Sequence, residues 1–141
     1  MERTLLLATR NKNKQKELES IVGDWNIQVL TLDDLPGLPA VEEDGATFAD
    51  NAGKKALTMA RLSGYVTLAD DSGLVVDALH GKPGIHSARF AGAAASDDDN
   101  NHKLLEMMRT VREEDRTGRF VCVIAIASPA GRLETVQGTI D

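Results

Sequence analysis

The sequence predicts an α/β protein built on a mixed central β-sheet flanked by helices. Apolar runs of strand length alternate with segments of helical period through the first half of the chain. Two β-type runs near the end are joined by Pro129-Ala130-Gly131, which reads as a hairpin. The 141 residues carry no internal repeat and no low-complexity tract, so they read as one domain with a core of its own.

Residues 4–8 form a near-continuous apolar run, as expected of a strand covered on both faces. A polar stretch from Thr9 to Lys14 leads into a helical pattern that puts Leu18, Ile21 and Val22 on one face, with Gly23 as its stop. Residues 27–32 read as a second strand, followed by a loop marked by Pro36, Gly37 and Pro39. Thr47 is the N-cap of the next helix, whose apolar face is Phe48, Ala52, Ala56, Met59 and Ala60 and whose stop is Gly64. Residues 65–68 and 74–76 read as two strands separated by a turn at Ala69-Asp70-Asp71-Ser72-Gly73. A turn at Gly81-Lys82-Pro83-Gly84 precedes His86-Ser87-Ala88-Arg89-Phe90. Asp97, Asp98 and Asp99 read as the cap and acidic first turn of a helix with Leu104, Leu105, Met108 and Val111 on one face. Residues 120–127 form a buried strand and 133–137 its hairpin partner.

The composition narrows the function classes. A net charge of −6 argues against a general nucleic-acid or anionic-membrane binder, so an anionic ligand needs a local basic patch. The single cysteine, Cys122, excludes an intramolecular disulfide framework and a Cys-rich zinc site, and it lies in an apolar run where a small buried hydrophobe is expected. His80, His86 and His102 lack metal-ligand spacing and read as structural or surface residues. No signal-peptide pattern opens the chain and its longest apolar run is too short to span a bilayer, so a soluble, cytoplasmic protein is expected.

Two stretches carry chemistry. A helix start favours negative side chains, yet Arg10, Lys12, Lys14 and Lys16 crowd the first one. Strand, polar loop and basic helix start together make a phosphate cradle in physical terms, without a Gly-rich Walker sequence; a solvated basic helix start is the plainer alternative. The second stretch is Asp70-Asp71, where adjacent like charges disfavour each other's ionisation unless a cation is supplied. Turn chemistry explains the residue types there, and a metal or phosphate site explains the doubled charge. Glu42-Glu43-Asp44 adds carboxylates that either favour the following helix end or face Asp70 and Asp71 as metal ligands. A cation cradle beside a carboxylate cluster suggests a Mg²⁺-bridged polyphosphate and attack on phosphorus by a water that a carboxylate deprotonates.

Thr9-Arg10-Asn11 with Lys14, Glu43-Asp44-Gly45-Ala46-Thr47-Phe48, Asn51-Ala52 with Lys55-Ala56, Ala69-Asp70-Asp71-Ser72-Gly73, and Pro83-Gly84 running into Ser87-Ala88-Arg89-Phe90 follow one another in order. In this the chain resembles the inosine triphosphate pyrophosphatase family over essentially its whole length. The resemblance implies a two-lobed α/β fold with the active site in the cleft between lobes, and usually a homodimer. It implies Mg²⁺-dependent hydrolysis of ITP, dITP and XTP between the α and β phosphorus atoms, giving a nucleoside monophosphate and pyrophosphate. Carried onto this sequence, the triphosphate would be held by the stretch Thr9, Arg10, Asn11, Lys12, Asn13 and Lys14 together with Lys55, and Ser72 would contact substrate. Glu43, Asp70 and Asp71 would hold metal, with Glu42 as the alternative to Glu43, and Asp71 would be the base that activates water. Family members continue past the hairpin into a Gly- and aromatic-rich segment and a Ser-His-Arg segment, which recognise the base. Neither occurs in these 141 residues, so the expectation is one inosine triphosphatase-like domain truncated at its C-terminal side.

Overall fold

The computed structural model describes residues 3–141. Five strands form one mixed sheet in the order β2-β1-β3-β4-β5: β1 is Thr4–Leu7, β2 Gln28–Thr31, β3 Val66–Val76, β4 Gly118–Ala127 and β5 Leu133–Ile140. β1 runs parallel to both its neighbours, with Leu5 opposite Val29 on β2 and opposite Val66 on β3. β4 and β5 form the hairpin, closed where Ser128 N–H donates to Arg132 O (2.9 Å) and Gly131 N–H to Ser128 O (3.0 Å). The helices are α1 (Lys12–Val22), α2 (Phe48–Ser63) and α3 (Asp97–Met108), joined by short 3-10 turns.

The chain divides into two compact units. One comprises residues up to Asp70 with Val123–Val136, the other Asp71–Cys122 with Gln137–Asp141. The core of the first is apolar and tight. Leu5 and Leu7 of β1, Leu68 of β3, and Leu18 and Val22 of α1 are buried together, with Ile27, Val29, Ile124 and Ile126 packed against them. The helix α2 buries Ala52, Ala56, Met59 and Ala60, and small side chains allow the close approach that its pattern predicts. Thr47 caps it by accepting from Asp50 N–H (3.0 Å), and Gly64 ends it in the left-handed region at φ 78°. In the second unit Gly118 of β4 lies so close to β3 that a Cβ there would stand 2.6 Å from Val75 O.

Five expectations differ from the structure. The turn at residues 69–73 does not exist: β3 runs unbroken through it, and Asp70 and Asp71 lie inside a strand, 4% and 7% exposed. Asp and Gly are depleted in strands, but that preference is weak and tertiary context overrides it here. Ile21 is 60% exposed although it shares the helical stripe of Leu18 and Val22. On α3 only Met108 of the predicted apolar face is buried, Leu105 is 64% exposed, and the helix stops before Val111. Cys122 is half-buried rather than buried, and β4 alternates, with Val121, Val123, Ala125 and Ala127 buried between more exposed neighbours.

Candidate active site

The strand β1 is followed by Ala8, whose N–H donates to Leu68 O (2.8 Å), so the chain leaves the sheet beside β3. Thr9 is buried there, and its Oγ1 accepts from Asn11 N–H (3.2 Å). Asn11 then caps α1, its Oδ1 accepting from the N–H groups of Asn13 (3.0 Å) and Lys14 (3.2 Å). The first turn of α1 contains no acidic residue. Asn11 therefore satisfies part of the helix start, and the positive charge around it comes from side chains.

Those side chains diverge. Lys12 pairs with Asp33, which lies on the 3-10 turn Leu32–Asp34, and both are exposed. Asn13 and Lys16 are exposed. Lys14 points inward and forms an ion pair with the buried carboxylate of Asp70 on β3. A buried carboxylate needs such a partner, since an unpaired charge out of water is costly.

Glu43 lies on the loop before α2 and pairs with Lys55 of that helix at 2.6 Å, both partly buried. Glu42 is exposed. Asp44 pairs with Lys54 at 2.7 Å, and the hydrogen bond and charge of Lys54 hold its carboxyl below the usual value. Arg10, Glu43 and Lys55 line a cavity of about 160 Å³ whose remaining walls, including Leu32, Val41 and Met59, are mostly apolar.

Asp71 and Ser72 follow Asp70 on β3, and Ser72 N–H donates to Asp71 Oδ1 (3.1 Å). Further along the same unit, Ser87 Oγ donates to Gly84 O (2.6 Å) and accepts from Leu74 N–H (2.9 Å). Asn100 of α3 holds the segment after it, donating to Ala88 O (3.0 Å) and accepting from Ala91 N–H (2.9 Å), while Lys103 donates to Phe90 O (2.7 Å). Arg89 is exposed between these fixed points.

The structure thus brings Lys14 to Asp70, Lys55 to Glu43, and Arg10 to the Glu43–Lys55 cavity. It directs Lys12 to Asp33 instead. Among the described residues no three His, Cys, Asp or Glu side chains are grouped closely enough to hold a metal ion by themselves. Sequence reasoning gave no role to Asn51, a buried polar residue on α2 whose Oδ1 accepts from Gly45 N–H (2.7 Å). A poor helix former one turn before Lys55 on an otherwise apolar face was the available signal.

The sequence pattern of the Ham1 family matches residues 5–141. The chain belongs to the Ham1 family. It is 53% identical over 137 residues to the dITP/XTP pyrophosphatase of Desulforamulus reducens, covering 97% of this chain and 68% of that protein. It is 51% identical to the dITP/XTP pyrophosphatase of Geobacter sulfurreducens, over 96% of this chain and 68% of that one. Among solved structures it resembles a HAM1 protein from Coxiella burnetii, with a TM-score of 0.88 and 34% identity over 97% of this chain and 70% of that chain. The Staphylococcus aureus Ham1 protein gives a TM-score of 0.86 and 37% identity over 98% and 70%. The mixed sheet flanked by helices is therefore the Ham1 fold, and the family resemblance read from the ordered motifs holds along the chain. Among the described residues no helix is long and apolar enough to cross a membrane.

Proposed function

We propose that this chain is a nucleoside triphosphate pyrophosphatase that hydrolyses ITP, dITP and XTP to the nucleoside monophosphate and pyrophosphate. Its relatives' names as dITP/XTP pyrophosphatases support the substrate class. The single observation that carries the chemistry is the inward ion pair of Lys14 with buried Asp70, which joins the basic helix start to the acidic strand.

In this reading Lys14 and Lys55 bind phosphate oxygens, and Arg10 adds positive charge at the Glu43–Lys55 cavity. Thr9 and Asn11 keep the β1–α1 connection in one conformation through their hydrogen bonds, so the lysine is presented without further ordering. Asn13 and Lys12 sit at the exposed rim of the same connection, and Ser72 is a substrate contact. Asp71 accepts the proton of the attacking water as general base.

The donor set fits Mg²⁺. With a nucleotide this ion takes one or two carboxylates and fills its other positions with phosphate oxygens and water. Asp70, Asp71 and Glu43 are the carboxylates that would hold it, with phosphate oxygens and water filling its other positions. When bound, the ion neutralises phosphate charge during attack on phosphorus. A homodimer in the cytoplasm is the proposed setting, with no nucleic-acid partner, in keeping with the charge of −6.

Pyrophosphate release from ITP, with ATP and GTP alongside and with and without Mg²⁺, tests this. Mg²⁺-dependent release selective for ITP is expected. ITP binding without release would make the chain a nucleotide-binding module instead.

A further inference from the structure

Three consecutive residues of the loop before α2 are gripped by α2 itself. Glu43 is held by Lys55 (2.6 Å), Asp44 by Lys54 (2.7 Å), and Gly45 by Asn51, whose Oδ1 accepts the Gly45 N–H at 2.7 Å. Asn51 and Lys55 are four residues apart, one turn of helix, and therefore share a face. The two lysine contacts are ion pairs between partly exposed side chains. The Asn51 contact is different, because Asn51 is 1% exposed and reaches the backbone rather than a side chain.

Gly45 fits closely at this point. A Cβ there would stand 2.6 Å from Asp50 Cβ and 2.7 Å from Asn51 Oδ1, so only glycine allows the backbone to come this near. Asn51 meanwhile keeps its Nδ2 buried without a hydrogen-bond partner. Such a donor is destabilising, a cost that a leucine of the same branching would avoid. What the amide supplies and leucine lacks is the acceptor for Gly45.

We infer that Asn51 is a positioning residue that fixes Glu43 through the Gly45 backbone, so that the Glu43 carboxylate is presented to the nucleotide-bound Mg²⁺; this rests on the function proposed above. Glu43 is two residues from the anchored N–H, near enough for the anchor to set the path of its backbone. Support of this kind typically governs metal affinity by 10–100-fold, roughly the range expected here.

The test uses Asn51→Leu, Asn51→Asp and Gly45→Ala, with binding of ITP, as its uncleavable α,β-methylene analogue, by calorimetry in Mg²⁺ and in EDTA, thermal melting, and hydrogen exchange at the Gly45 amide. Asn51→Leu should lower the Mg²⁺-dependent gain in ITP affinity by about 10–100-fold and speed Gly45 exchange. ITP affinity in EDTA should stay within about twofold and the melting temperature near that of the unaltered chain, because the buried unpartnered donor is removed as well. Asn51→Asp keeps the acceptor and should restore most of the gain. Gly45→Ala disturbs the same contact from the loop side with Asn51 intact, and combining it with Asn51→Leu should add little further loss. A parallel fall of affinity in Mg²⁺ and in EDTA, or no change in either, would overturn the positioning role. An unaltered chain that fails to bind ITP at all would overturn the functional reading and this role with it; normal binding by that chain and by every variant would overturn this role alone.

Discussion

Lys14 on α1 and Asp70 on β3, 56 residues apart in sequence, form an ion pair in which the aspartate side chain is 5% exposed. It ties the first helix to the centre of the sheet and couples a basic group suited to phosphate with a carboxylate suited to metal. Removing one member of a buried pair strands the other charge, and that is worse than never having had the pair.

Lys14→Ala is accordingly expected to destabilise the chain by about 3 kcal/mol and to weaken ITP binding before it affects turnover of bound substrate. Lys14→Ala combined with Asp70→Asn should recover part of the stability and none of the binding. Urea unfolding and calorimetry on the two variants check both halves.

Asp71→Asn removes a base and one negative charge but leaves the lysines in place. Hydrolysis should be lost while ITP affinity stays within about tenfold. Full turnover by this variant, measured as pyrophosphate release, would show that another group activates the water.

Two glycines separate packing from flexibility. At Gly118 the added methyl would meet backbone, 2.6 Å from Val75 O and 3.3 Å from Val76 Cα, which cannot move aside. Gly118→Ala should cost about 1–3 kcal/mol. At Gly53, inside α2, the methyl would meet only the Leu133 side chain at 3.1 Å, which can rotate. The helix preference for Ala over Gly, about 1 kcal/mol, then makes Gly53→Ala neutral or stabilising. The difference in melting temperature between the two variants is the measurement.

Asp99 closes a capping box at the start of α3. Its carboxylate accepts from Ser96 N–H (2.9 Å), and this bond, with a second from the Ser96 side chain, holds its carboxyl below the ordinary 3.8. The folded form releases this proton more readily than the unfolded one, so the stabilising effect is complete above the unfolded value and is lost as pH falls through the folded value. The Ser96 amide resonance should therefore shift with a midpoint under 3.8, and Asp99→Asn should abolish that shift.

Much of the fold was legible because local signals agreed with the global structure. Thr47 and Gly64 bound α2 as their chemistry predicts, and the Ala-rich face between them is buried. The β4–β5 hairpin follows from its Pro-Ala-Gly turn, although β5 runs on to Ile140. What misled was Asp70-Asp71-Ser72-Gly73, where turn-forming residues sit in the middle of a long strand, since strand preference depends on the packing a segment meets more than on its own residues. The exposure of Ile21 and Leu105 was equally hidden, since a helical stripe tells which residues share a face and not how much partner surface covers it. At the candidate site the residue types were readable and their pairings were not. Nothing in the order of residues tells that Lys14 takes Asp70 and Lys12 takes Asp33, or that Asn51 reaches the Gly45 backbone, because those contacts depend on how loops return to the sheet.

The most direct test of the central claim is a chromatographic inventory of the products formed from ITP and Mg²⁺. Inosine monophosphate and pyrophosphate are expected in equal amounts, with neither inosine diphosphate nor orthophosphate. Inosine diphosphate with orthophosphate would place cleavage at the terminal phosphate and contradict it, as would ITP recovered intact.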